Sequence, residues 1–176
     1  MCLIKYNDMT RNLADSSEEV FTFYKIYSLL TKVPISNDIT GYAPGITGQD
    51  EDIYLSSAWR STIVAAYKDV KPDEPIIHSS DRYHKELGCD EQTMVSHGIH
   101  VFISEKDALL RTDSKRQICI PVKCRKEDLV AAGTWVAAME VDQAVFMKIE
   151  INSNDVIKAI ETVKAKKAEK ENVFNT

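Results

Sequence analysis

Four histidines and a cysteine crowd one short stretch. His78, His84, Cys89, His97 and His100 fall within 23 residues of a 176-residue chain, and the sequence holds no other histidine. Neutral imidazole and thiolate are the donors zinc prefers, and any four of these five groups would close a tetrahedral site. The spacing matches no standard finger, and His97-x-x-His100 needs a turn just ahead of a strand. Ordinary surface or half-buried histidines would give the same pattern. Zinc is the one cofactor the sequence suggests.

A basic cluster is the second constellation. Arg111, Lys115, Arg116, Lys123, Arg125 and Lys126 flank one alternating segment, with Asp113 as the opposing charge on its leading side. Cations at both strand ends can hold a phosphate-bearing small molecule through charge-assisted hydrogen bonds. The same pattern also serves as solvated charge that keeps a strand edge from aggregating. Trp59 and Arg60 are candidate interface anchors, since Trp and Arg dominate binding energy at protein contacts. A Trp on a buried helix stripe is the competing reading.

Catalytic signatures are missing. There is no nucleophile elbow and no phosphate-binding glycine loop. His78-Ser79-Ser80 supplies one half of a two-histidine phosphoesterase pattern, but His100-Val101-Phe102 does not supply the other. A Tyr-rich first strand and a late Glu150 echo an ADP-ribosyltransferase layout. Lys148 stands where the paired Glu or Gln would be needed.

The elements that must carry these residues are those of a soluble α+β domain. Charged residues make up 28% of the chain and the net charge is −5, which gives no global attraction to nucleic acid or to an anionic membrane. No apolar run approaches the ~20 residues of a membrane span. Four cysteines without a CxxC pair read as free thiols of a reducing cytoplasm.

Residues 1–15 read as a flexible arm, 16–163 as one domain, and 164–176 as a frayed charged tail. Val20–Leu30, rich in aromatic and β-branched residues, predicts a strand. Pro34, Gly41, Pro44, Gly45 and Gly48 predict a long loop over 31–52. Apolar residues at helical spacing predict helices over 56–70 and 81–87. Short strands are expected at 76–78 and 98–103, and a helix capped by Ser104 through Leu110. Gln117–Cys124 alternates, and its Pro121 predicts an edge position or a bulge. A short turn or helix over 127–132, strands at 135–141 and 145–151, and a helix from Ser153 or Asn154 complete the pattern. The fold class is α+β, with a mostly antiparallel sheet and a few packed helices.

The order of these pieces resembles a small uncharacterised α+β domain that recurs in bacteriophage and prophage genomes. The residues that carry the resemblance are Tyr24-Lys25-Ile26-Tyr27, Tyr42-Ala43-Pro44-Gly45, Gly98-Ile99-His100-Val101-Phe102, Asp107-Ala108-Leu109, Ile118–Val122 and Asp128–Gly133, ending near Val145. Many members carry a cysteine shortly before the Gly-x-His; this chain has His97 nearby, with Cys89 farther back. The resemblance implies a phage-type accessory protein in a bacterial host cytoplasm, and brings no reaction with it. With the catalytic sets missing, the expected function is non-enzymatic binding of a host protein or of a phosphorylated, nucleotide-type signal, in the manner of counter-defence. A second copy of the chain is a further candidate partner. The alternative is a nucleotide-handling enzyme of the ADP-ribosyltransferase-like type.

Overall fold

A computed structural model of the chain describes residues 4–6, 8–36, 39–46, 50–57, 62–81, 85–87, 93–95, 98–135 and 141–174. In chain order the elements are β1 (Ile4–Tyr6), α1 (Asp8–Ala14), β2 (Val20–Ser36), β3 (Ile39–Pro44), β4 (Ile53–Ser57), β5 (Ile63–Ala66), β6 (Ile76–Ser79), β7 (Lys85–Leu87), β8 (Thr93–Val95) and β9 (Ile99–Phe102). There follow α2 (Glu105–Leu110), β10 (Gln117–Arg125), β11 (Leu129–Trp135), β12 (Val141–Phe146), β13 (Lys148–Ile151) and α3 (Ser153–Phe174). The class is α+β with an antiparallel sheet, as the sequence predicts. Two compact units emerge, each built from three separate stretches of chain.

Unit 1 comprises residues 1–25, 77–110 and 121–151. Its strand order is β1-β11-β12-β9-β2-β10-β13-β6. Phe21, Phe23, Val101, Phe102, Ala131, Val145 and Phe146 are buried in it, and the Phe23 and Phe146 rings meet at 6.0 Å. Residues 4–6 and 8–14 of the expected N-terminal arm form β1 and α1 instead. β1 pairs with β11, and on α1 the buried Thr10 hydroxyl donates to the Ala132 carbonyl (2.7 Å) and accepts from its N–H (2.8 Å).

Several local expectations in this unit yield to the sheet. Lys85–Leu87 is a strand paired with β8 rather than part of a helix. Of the expected turn or helix over 127–132, Glu127 and Asp128 lie in a 3₁₀ turn (Lys126–Asp128), whereas Leu129–Ala132 is the start of β11, its backbone taken up by the ladder with β12. Pro121 lies in an interior strand, not at an edge. Its position explains the tolerance. Arg116 and Lys126 both bond toward β2, so the even-numbered residues of β10 address β2 and the odd ones address β13. The ladder to β13 begins only at Val122↔Ile151, so the donor that proline lacks would face the place where β13 has already ended.

Unit 2 comprises residues 26–76, 111–120 and 152–176. Here β2 continues to Ser36 and turns back as β3, where a loop was expected. Pro34 borders a register shift of that ladder, and Pro44 is its last residue, so neither proline removes a needed donor. A Cβ at Gly41 would force the exposed Ile35 side chain to move aside. The expected helix 56–70 is instead β4, β5 and a single 3₁₀ turn at Tyr67–Asp69. Pairing of Ser56 and Ser57 with β2, and of Ile63–Ala66 with β4, overrides the helical spacing.

Helix α3 begins at Ser153 and runs to Phe174, through the segment expected to fray. Ser153, Val156 and Ile160 are buried in it. Beyond them it is held by charge. Lys164 Nζ lies 2.6 Å from Asp50, 2.8 Å from Glu161 and 4.7 Å from the centre of the Tyr67 ring, while Tyr67 donates to Glu161 at 2.8 Å. Burial pulls the Lys164 pKa down, but its bonds to Asp50 and Glu161 outweigh this and raise it. The same bonds, from Lys164 first and Tyr67 second, hold the Glu161 carboxyl below its usual range. No helix among the described residues is long and apolar enough to cross a membrane.

Candidate functional site

Beside Leu29, the exit of β3 meets the entry of β10. The Leu29 carbonyl accepts from Gly45 N–H at 2.7 Å, and the Leu29 N–H donates to Arg116 O at 2.8 Å. Gly45 has φ 94°, a backbone conformation that glycine adopts without strain and other residues rarely do. A strap (44–46) and a turn (113–116) are thereby fixed against each other.

On this scaffold opens a cleft of about 420 Å³ lined by Ile46, Ser114, Lys115, Val163, Lys166, Lys167 and Glu169. Val163, Lys166 and Lys167 stand three and four positions apart on α3, so they share one helix face. Lys167 Nζ donates to the Ile46 carbonyl at 2.9 Å, which ties helix and strap together. Three ammonium groups face one carboxylate, above the apolar side chains of Ile46 and Val163. Such an arrangement attracts phosphate oxygens and offers an apolar surface to a ring beside them.

The six cations of the sequence cluster do not form one patch. Lys115 lines the lysine cleft. Arg116 is bound to Asp113 at 2.7 Å and faces a different cavity of unit 2. Arg111 is half-buried just after α2. At the other end of β10, Lys123 bridges Glu150 (3.3 Å) and, just past it, Lys126 bridges Glu19 (2.9 Å). Lys123 and Arg125 line a cavity of about 330 Å³ in unit 1, together with Lys148, Asp128 and Glu150. Three cations there meet two anions, and Glu150, the residue of the transferase-like echo, is engaged with Lys123.

Of the zinc candidates, His78 lies on β6 and His100 on β9, both buried, with β2, β10 and β13 between these strands in the sheet order. His84, Cys89 and His97 lie outside the described residues, as do Trp59 and Arg60. Among the described residues no three His, Cys, Asp or Glu side chains converge on a metal position. Burial, reinforced by the charge of Lys25, lowers the His78 pKa to about 4, so its imidazole is neutral at ordinary pH. The Cys124 thiol is pushed up to about 12 by burial and by the nearby Asp128, and stays protonated.

Sequence reasoning missed Lys166 and Lys167. They belong to the run KAKKAEK, whose loss of apolar stripe read as fraying. The usable signal was Val163, one apolar residue placed to keep that face docked. Compared with models of protein families, with curated proteins and with solved structures, the chain matches none.

Proposed function

We propose that the protein is a binding protein for a small phosphorylated ligand of the nucleotide class, taken up in the lysine cleft of unit 2. The observation that carries this reading is the convergence of Lys115, Lys166 and Lys167 on one cleft against a single carboxylate, Glu169. The cleft falls within the ~300–1,000 Å³ range of small-molecule sites. Ile46 and Val163 give a base or similar ring an apolar seat, while the ammonium groups hold its phosphates. No catalytic constellation is needed for this role. In the phage-type setting that the sequence resemblance implies, the protein would act by withholding such a signal from the host.

The test is thermal unfolding at low salt with a panel of mono-, di- and cyclic dinucleotides. A ligand that binds only the folded state raises the melting temperature by mass action, and added salt shrinks the rise. A panel that produces no rise for the full chain removes the small-ligand reading and leaves a host protein as the partner.

A further inference from the structure

Unit 2 holds a second cavity of different chemistry. It measures about 240 Å³, and its polar lining consists of Ser28, Ser56, Ser57, Asp113, Arg116 and Gln117. Leu29, Leu30 and Pro44 supply an apolar wall. Ser56 is 1% exposed and Ser57 8%, and both line this cavity. A serine hydroxyl donates one hydrogen bond and accepts up to two, so a ligand that enters can pair with it in either sense.

The remaining polar groups are already oriented. Gln117 Oε1 accepts from the Asp113 N–H at 2.8 Å, and its Nε2 donates to Ser28 Oγ at 3.4 Å. The Asp113 carboxylate accepts from Arg116 Nε (2.7 Å) and from the Lys115 N–H (3.0 Å). The Arg116 bond, with the Lys115 N–H second, holds its carboxyl below the usual range. One of the five guanidinium N–H groups is thus spent, and the others stay available at the rim. Because Asp113 and Arg116 cancel, the cavity exerts no net pull on an anion, in contrast to the lysine cleft.

We infer that this serine cavity binds a neutral, polyhydroxylated ring of the sugar class. Such a ring alternates donors, acceptors and C–H faces. Its hydroxyls can donate to Asp113, accept from Arg116 and exchange bonds with Ser56 and Ser57. Its C–H face fits the Leu29, Leu30 and Pro44 wall. The cavity lies below the ~300 Å³ lower bound of drug-sized sites, which limits the ligand to one ring.

The inference does not rest on the lysine cleft, and the two can fail separately. The full chain is titrated with D-ribose, D-glucose and myo-inositol while backbone amides are followed by NMR. Saturable shifts are expected at Ser28, Ser57, Arg116 and Gln117 for at least one compound. Ser56→Ala with Ser57→Ala should weaken that binding about tenfold or more, since two hydrogen bonds are lost. Asp113→Asn, at the exposed rim where the fold is not at risk, should weaken it several-fold, whereas Lys166→Ala should leave it unchanged. Absence of shifts at these four amides with all three compounds would overturn the inference. So would binding that all of the Ser and Asp variants retain at full strength.

Discussion

Unit 1 buries four titratable side chains that charge would disturb, while the two cavities of unit 2 are rimmed by exposed ones. In unit 1, Lys25, His78, His100 and Cys124 are all less than 9% exposed, inside or against the sheet. In unit 2, Lys115, Lys166 and Lys167 are exposed around a cleft, and Asp113 with Arg116 rims another. The same residue types therefore do different work. Protonation in unit 1 bears on whether the fold survives, while charge in unit 2 bears on what the fold can hold.

The largest effect expected from this contrast is an acid instability that originates in His78. Its folded pKa of about 4 lies below the ordinary 6.5, so between these values the unfolded chain takes up a proton that the folded chain refuses. Stability is full above pH 6.5 and falls as the pH drops toward 4, by about 3 kcal/mol in all. Urea unfolding across that range should show the slope, and His78→Gln should flatten it. An identical slope in both proteins would break the contrast between the units.

Next in size is the ligand effect in unit 2. Lys166→Glu with Lys167→Glu should raise the dissociation constant of any nucleotide hit about 30-fold or more, roughly 2 kcal/mol, through lost and reversed charge. Lys123→Glu, in unit 1, should leave it within about twofold, because distant sites act independently. Equal losses from the two changes would remove the distinction between the two ends of β10.

A smaller effect is expected where α1 docks on β11. Thr10→Val removes both bonds to Ala132 and should cost about 1–2 kcal/mol of stability while leaving nucleotide binding intact. Lys126→Ala marks the floor. Its partner Glu19 is 77% exposed on the side chain, so the loss should stay under about 1 kcal/mol.

What could be read in advance follows the same physical line. Gln117–Cys124 was legible because alternate side chains meet core and solvent, and Ile118, Ile120, Val122 and Cys124 are all buried. The capped helix after Ser104 was legible because its cap is local: Ser104 Oγ accepts from the Asp107 N–H. Ile53–Ser57 and Ile63–Ala66 were not, since what makes them strands is pairing, of the first with β2 and of the second with the first, and not their own spacing. Nor was the lysine cleft. Lys115 and Lys166 are 51 residues apart in the chain, and the docking of α3 through Val156, Ile160 and its bonds to Asp50, Tyr67 and Ile46 brings them to one cavity.

The discontinuity of the two units bears on how the chain acquires its structure. β1 has no partner until residues 133–135 exist, and Thr10 waits for Ala132, 122 positions later. Each unit closes only when three stretches of chain have met, and β2 and β10 each give residues to both. Non-local pairing of this kind is slow, since loop-closure entropy is lost before any contact repays it. On the ribosome, the early strands would emerge with open edges, a state in which neighbouring nascent chains can pair wrongly. Neither unit can be excised as one continuous fragment, so folding of this protein is all or nothing at the level of the gene.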